Sequence, residues 1–378
     1  MSALTARLLV FCTAAAVLIL EILAGRLLAP YVGVTLETFT GIIGTVLAGI
    51  AIGSWLGGRA ADRIDPNRLL APLLLAGGIL TLLAPAIINT IGPRLDGADP
   101  IDIVTLTALA FFLPAAVLSA VSPVVVKIRL HSLDETGRVV GSLSALGTTG
   151  AIMGTFLTGF VLLAAWPSRP IVFALGGALL VAGIGFGAAR YSRRTLAAAG
   201  LPAVVAALLL FAVDGPCEIE TAYFCARVET DAERSTGRVL WLDTLRHSYV
   251  DLDDPTYLEF RYARIMGDVL ATAPPGPIDA LFIGGGGFTL PRYIAAERPG
   301  STSLVLEIDP TLVDIARRDL GLVTSPDLAV EIGDARLLLA NAPAAQYDVV
   351  VGDAFGGLSV PWHLTTREFA TTIQERLR

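Results

Sequence analysis

The sequence predicts an α-helical membrane bundle of about seven transmembrane helices, followed by a small β segment and a parallel α/β domain. Three observations carry that reading. Apolar residues make up 54% of the 378 and charged residues only 16%, against roughly 25% charged in an ordinary soluble domain. Residues 1–213 hold 13 Arg/Lys against 9 Asp/Glu, whereas 214–378 hold 14 against 25, so a sparse basic part meets an acidic one. Long charge-free runs fill the first part, and alternating strand and helix patterns fill the second. The divisions fall at 1–213, 214–272 and 273–378.

The first apolar run, 8–28, is interrupted by Glu21 and Arg26. Charge-free stretches then separate Glu37 from Arg59, Arg68 from Arg94, Asp102 from Lys127, Arg138 from Arg169, Arg169 from Arg190, and Arg194 from Asp214. A span needs ~20 apolar residues, so each stretch accommodates one helix, the seventh over 195–213. The first is not a cleaved leader, because no small-residue cleavage site follows it and six more spans do. Basic residues collect in 58–68 (Arg59, Arg63, Arg68), after helix four (Lys127, Arg129, Arg138) and after helix six (Arg190, Arg193, Arg194). Arg94 is diluted by Asp96, Asp99 and Asp102, and Arg169 stands alone. This distribution places the N-terminus on the inner side of a cell membrane, and seven crossings leave 214–378 outside. The bilayer is the first partner implied. No basic stripe points to nucleic acid, and homo-oligomerisation is left open.

Glu21 is the membrane-site candidate, since an intramembrane carboxylate is costly unless it is paired or functional. The plainer alternative is a structural partner for an Arg, Ser or Thr. Gly49, Gly53 and Gly57, and Gly141, Gly147, Gly150 and Gly154, recur at spacings that allow close helix contact. Cys12 reads as core of the first span.

In the second part, 218–228 and 239–249 are rich in β-branched and aromatic residues and read as strands. After Pro274, Pro275 and Pro277 comes a regular alternation. Strands are predicted at 280–283, 303–308, 328–332 and 348–351, and helices at 290–297, 310–319, 335–339 and 365–377. Such alternation gives a parallel sheet with ligands at the carboxyl ends of its strands. Every candidate ligand residue falls there. Gly284, Gly285, Gly286 and Gly287 follow the first strand and let backbone approach a ligand closely. Glu307 ends the second strand, in the position of a ribose-binding acid about 20 residues beyond a glycine loop. Asp334 ends the third and Asp353 the fourth. Each acid singly could be a helix cap or a turn residue. Together, without a complete Gly-x-Gly-x-x-Gly, they suit an adenosine-type ligand better than a dinucleotide.

These segments resemble the spermidine synthase (polyamine aminopropyltransferase) family, in the branch fused to an N-terminal multi-pass membrane domain. The resemblance is carried by Leu240-Trp241-Leu242-Asp243, 253–259, Ile283-Gly284-Gly285-Gly286-Gly287, Leu306-Glu307-Ile308-Asp309-Pro310, Gly333-Asp334-Ala335 and 347–355, over about 215–375. It implies a Rossmann-like, methyltransferase-type domain. In it Glu307 holds the ribose, Asp334 the adenine amino group, and Gly284, Gly285 and Gly286 line the nucleoside. Asp353 is the general base on the attacking amine, Tyr257 helps to orient that amine, and His247 and Glu259 bind substrate. The implied donor is decarboxylated S-adenosylmethionine, or S-adenosylmethionine itself. The implied acceptor is a small amine such as putrescine, and no metal is required. Gly57-Gly58-Arg59-Ala60-Ala61-Asp62-Arg63 also resembles the loop of major-facilitator transporters, which can lock helix ends by charge.

The chain departs from the family at three places. Gly287 and Phe288 stand where an Asp follows three glycines, Gly356 stands for a second Asp, and His247 stands for a Gln. His247 and His363 are either replacement polar contacts or loop histidines satisfied locally. The family's sheet continues beyond 365–377, so the domain reads as C-terminally truncated. Cys217 and Cys225 either form a disulfide, which requires an oxidising compartment, or are two reduced thiols. The disulfide agrees with an external domain, whereas adenosylmethionine-type donors are cytosolic. Besides the aminopropyltransferase, two other functions fit: a methyltransferase on the same sheet, and a membrane transporter or sensor with a non-catalytic binding domain.

Overall fold

The computed structural model describes all residues except 96–98, 189–190 and 356–359, together with the side chains of 193–199, 210 and 211. Asp96, Arg190 and Gly356, and the side chains of Arg193 and Arg194, therefore lie outside the described residues. The chain forms two compact units, Met1–Pro216 and Cys217–Arg378.

The first unit is all helix. Among the described residues six helices are long and apolar enough to cross a membrane: α1 (Ala3–Val32), α2 (Leu36–Arg63), α3 (Pro66–Arg94), α4 (Pro100–Arg129), α5 (Leu133–Ala165) and α6 (Ser168–Ala188). The segment predicted as a seventh span forms a helix of 20 residues, α7 (Arg193–Ala212). Turn chemistry sets their starts. Ser2 and Thr35 accept the amide protons of Thr5 and Thr38, and Asp65 caps α3 ahead of Pro66. Helices α4 and α5 each widen into a π turn, at Ala108–Phe112 and Thr158–Leu162.

Glycines decide which helices touch. A Cβ at Gly53 would lie 2.0 Å from the Ala116 carbonyl oxygen, and one at Gly57 2.6 Å from that of Ala120, so α2 and α4 meet backbone to backbone. Gly150 and Gly154 do the same for α5 against Phe11 and Ala15 of α1. At the helix ends Lys127 Nζ lies 2.7 Å from Asp62 Oδ1, an exposed ion pair joining α4 to the Gly57–Arg63 segment of α2. Cys12, expected in the core, is exposed. The buried face of α1 runs through Leu9, Val10, Thr13, Ala16 and Val17, and Cys12 stands off it.

The second unit opens with an antiparallel sheet in sequence order, β1 (Ile219–Glu220), β2 (Cys225–Thr230), β3 (Gly237–Leu242) and β4 (Leu245–Asp251). The run 239–249, read from sequence as one strand, is thus two. The chain reverses at Asp243, whose backbone is left-handed at φ 53°. A helix absent from the sequence reading follows, α8 (Arg261–Ala271). Then come β5 (Asp279–Ile283), α9 (Thr289–Glu297), β6 (Thr302–Glu307), α10 (Pro310–Asp319), β7 (Leu328–Ile332), α11 (Ala335–Ala340), β8 (Val349–Gly352) and α12 (Arg367–Arg376). The four strands are parallel in the order β7-β6-β5-β8. Phe282, Phe288 and Val305 belong to the core on one side, and Leu281, Ile283, Leu306 and Phe369 to that on the other. The order reverses between β5 and β8, and ligands of such sheets bind beyond the strand ends at that point.

Candidate functional site

A cleft of about 280 Å³ opens at that reversal point. Gly284, Gly286, Glu307, Asp334, Asp353 and His247 all line it, from segments far apart in sequence. The loop after β5 is shaped by its glycines. Gly284 has φ 94°, and a Cβ there would lie 2.6 Å from the Asp353 carbonyl oxygen. An L side chain would be both strained and obstructed. Phe288 is left-handed at φ 57° and fully buried, anchoring the loop from below.

Glu307 is 5% exposed and acts first on the loop itself. Its Oε2 accepts the amide protons of Gly285 at 2.7 Å and Gly286 at 3.3 Å, and Oε1 accepts that of Asp309 at 2.9 Å. Burial raises its pKa, and the three amides oppose that rise. Asp309 caps α10 through Thr311, while its Oδ2 is buried with no hydrogen-bond partner among the described residues. Asp334 is bifunctional. One oxygen caps α11, accepting from the amides of Arg336 at 2.8 Å and Leu337 at 3.2 Å. The other lies 3.1 Å from His363 Nε2, and His363 is itself on the cleft wall.

Asp353 follows β8. Burial pushes its carboxyl up to about 6, opposed by a hydrogen bond from a tyrosine hydroxyl. That tyrosine is Tyr262 of α8, not Tyr257. Tyr257 instead donates to Glu259 Oε2 at 2.7 Å, and Arg234 lies over its ring at 3.9 Å. The other oxygen of Glu259 faces Arg246 at 3.6 Å. Neither Tyr257 nor Glu259 lines the cleft, because both are engaged locally in the turn that leads into α8. The apolar spacing of Ala263, Met266, Gly267 and Leu270 is the signal that would have revealed α8, and Tyr262 with it.

Burial pushes the His247 imidazole down to about 4, so it is neutral near pH 7. Its Nδ1 lies 2.8 Å from Ser248 Oγ, which accepts the Gly287 amide proton at 3.0 Å. Ser248 can then donate to Nδ1. His247 is both a cleft residue and a brace for the loop. At Gly287 and Phe288 the chain supplies a bound amide and a buried ring. Among the cleft residues that escaped the sequence reading are two aromatic ones, Tyr223 and Phe224, from the turn between β1 and β2. That turn is closed by a disulfide between Cys217 and Cys225, Cα–Cα 5.1 Å. Glu21 belongs to the other unit, on α1, and lines neither the cavity there bounded by Leu162, Trp166 and Ile171 nor the one bounded by Thr13, Ser119 and Ser144.

No family model matches the chain. A polyamine aminopropyltransferase from Vibrio vulnificus (strain CMCP6) is 37% identical over 105 residues, 27% of this chain and 35% of that protein. A second, from Chromobacterium violaceum, is 30% identical over 131 residues, 32% of this chain and 46% of that protein. The chain thus spans less than half the length of these curated relatives. Among solved structures, a probable spermidine synthase from Corynebacterium glutamicum ATCC 13032 is 27% identical, with TM-score 0.40, over 42% of this chain and 59% of that one. Human methyltransferase-like protein 13 in complex with SAH is 22% identical, with TM-score 0.29, over 31% and 60%. The C-terminal part of this chain is thus similar to polyamine aminopropyltransferases.

Proposed function

We propose that the second unit is an aminopropyltransferase-type transferase joined to a multi-pass membrane unit. The observation that supports this most directly is Asp353, a half-buried carboxyl with a raised pKa, beside the glycine loop and bonded to Tyr262. A general base works best when its pKa lies near the operating pH. In this reading the cleft takes the nucleoside part of decarboxylated S-adenosylmethionine, with Glu307, Gly284, Gly285, Gly286 and Asp334 around it. The amine nitrogen of a putrescine-type acceptor attacks the carbon next to the sulfonium. The carbon–sulfur bond breaks, its electron pair neutralises the sulfonium to a thioether, and the amine's proton passes to Asp353. Tyr262 is a positioning residue for that carboxylate.

The test is product analysis with the full chain in detergent, supplied with decarboxylated S-adenosylmethionine and putrescine. Methylthioadenosine should form, and Asp353→Asn should cut turnover by ~10²–10⁴-fold with nucleoside binding largely kept. Full activity in that variant would sink the assignment. Gly287 and Phe288 supply no carboxylate for a second amine, which favours a second reading, methyl transfer from S-adenosylmethionine. Release of S-adenosylhomocysteine instead of methylthioadenosine would establish it. For the membrane unit we propose seven crossings from an N-terminus on the Arg-rich side, so a reporter fused after Arg378 should be active outside. A signal from inside would remove one crossing and leave Cys217 and Cys225 reduced in cells.

A further inference from the structure

The second unit begins at Cys217, and its first strand has only two residues, Ile219 and Glu220, paired with Ala226 and Cys225. A pairing that short is marginal without further support. Yet the turn it carries is well defined. Thr221 is 5% exposed, its Oγ accepts the amide protons of Tyr223 at 3.0 Å and Phe224 at 2.9 Å, and its own amide donates to the Phe224 carbonyl at 2.9 Å. Cys225 is 4% exposed and is fixed to Asp243 by two hydrogen bonds, from its amide to Oδ1 at 3.0 Å and to its carbonyl from the Asp243 amide at 2.8 Å. One end of the turn is therefore built into the sheet. The other end, at Cys217, is tied to it covalently.

What this turn presents is a wall of the cleft. Tyr223 and Phe224 line it together with Glu307, Asp334 and Asp353, their rings 6.4 Å apart. Burial raises the Tyr223 phenol, and the charges of Asp309, Glu307 and Asp334 raise it further; Glu307 and Asp334 line the same cleft. A phenol kept protonated beside carboxylates can donate, and the two rings supply flat apolar surface of the kind that a purine covers. We propose that the Cys217–Cys225 disulfide is a positioning device for ligand binding: it holds Tyr223 and Phe224 as part of the cleft wall that Glu307 and Asp334 also line, so that affinity for a nucleoside thioether depends on the intact bond. This rests on the nucleoside reading of the cleft. Reduction breaks the S–S bond to two thiols, the two electrons and two protons coming from a dithiol that closes to its own cyclic disulfide. The Cys217 end is then held by the two-residue strand and by the adjoining Glu218, whose amide donates to the Ala226 carbonyl and whose Oε2 accepts the Val228 amide proton, and ordering the turn on binding must be offset from the ligand's affinity.

The experiment uses the full chain in detergent, oxidised or treated with dithiothreitol, with the state of the bond read by intact mass. Without ligand, hydrogen exchange should accelerate at the amides of 219–226 on reduction, and unchanged exchange there would overturn the proposal. With methylthioadenosine as probe, titration calorimetry should show Kd rising about tenfold on reduction. The double variant Cys217→Ser/Cys225→Ser should reproduce that rise and no longer respond to the dithiol. Tyr223→Ala keeps the bond, guards against misfolding of the serine variant, and should weaken binding by a similar factor. Equal Kd values for the oxidised and reduced wild type, or for Tyr223→Ala and wild type, would overturn the inference. If the oxidised wild type bound no methylthioadenosine at all, the nucleoside reading would fall, and the exchange result alone would decide whether the bond orders the wall.

Discussion

Glycine serves opposite purposes in the two units. In the helical unit Gly53, Gly57, Gly150 and Gly154 keep ordinary helical backbone, and what matters is the missing side chain, because another helix's backbone occupies its place. In the second unit Gly284 and Gly286 have φ of 94° and 49°, and what matters is the conformation. There the freed space receives the Asp353 backbone and the His247 ring. A helix buries its own hydrogen bonds and needs only close contact, as helices in lipid do. A ligand loop must turn its amides toward an acid, here Glu307, and needs backbone that other residues resist.

Substitution separates the two roles, and these are the largest effects expected after the loss of Asp353. Gly53→Leu forces α2 and α4 apart at a point where even a methyl would meet the Ala116 carbonyl at 2.0 Å. We expect a destabilisation of ~3 kcal/mol or more, seen as loss of the folded detergent-solubilised chain in a thermal melt. Gly284→Ala should leave that melt of the helical unit in place and weaken methylthioadenosine binding by ~100-fold, through strain of ~1–3 kcal/mol added to the clash with Asp353. If Gly53→Leu spared the helices, or Gly284→Ala bound normally, the division of roles would be wrong.

The next effects are smaller and depend on pH. Asp353 must be ionised to accept a proton, so kcat/KM should rise with pH to half its plateau near 6. Stability moves the other way. The folded pKa lies above the ordinary carboxyl value, so the folded state binds the proton more tightly, and Asp353's contribution is lost as pH rises through about 6. Asp353→Asn should accordingly stabilise the unit above pH 6, by on the order of 2 kcal/mol, measured by denaturant titration at pH 5 and 8. Tyr262→Phe removes the hydrogen bond that favours the ionised form. Its rate profile should shift alkaline, with activity at pH 7 lowered ~3–10-fold. A drop without a shift would make Tyr262 a packing residue.

How much of this was legible in sequence follows from the same contrast. Charge-free runs mark the apolar helices because hydropathy is a property of the segment itself. The parallel sheet is legible because its strands and helices alternate with clear periods, and Glu307, Asp334 and Asp353 are legible because each ends a strand. The partners of those acids are not. Tyr262 reaches Asp353 from a helix whose apolar spacing is legible but whose direction toward the strand end is not, and Tyr257 stands five residues away with a more conspicuous local motif. Glu259 looks available in sequence, but Tyr257 and Arg246 engage it in the fold. The turn bearing Tyr223 is shaped by Thr221 and closed by a disulfide, and a cysteine pair in sequence gives no indication of which cleft it borders. The tight turn at Asp243 splits one β-rich run into two strands, a step that depends on left-handed backbone at a non-glycine residue.

The Asp62–Lys127 ion pair makes the finest test of the comparison. It joins the same two helices as Gly53, at a spacing of 2.7 Å that suggests a strong contact. Both side chains are more than half exposed or nearly so, at 67% and 50%, and an exposed pair contributes ~0–1 kcal/mol, less in salt. Asp62→Asn should therefore leave the melt of the helical unit almost unchanged, and the small loss should vanish at high ionic strength. Arg59, which lies 3.9 Å over the Trp55 ring, is the neighbouring control, because its contact is not an ion pair and should not respond to salt in the same way. A loss at Asp62 approaching that of Gly53→Leu would show that charge, and not close backbone contact, holds α2 to α4.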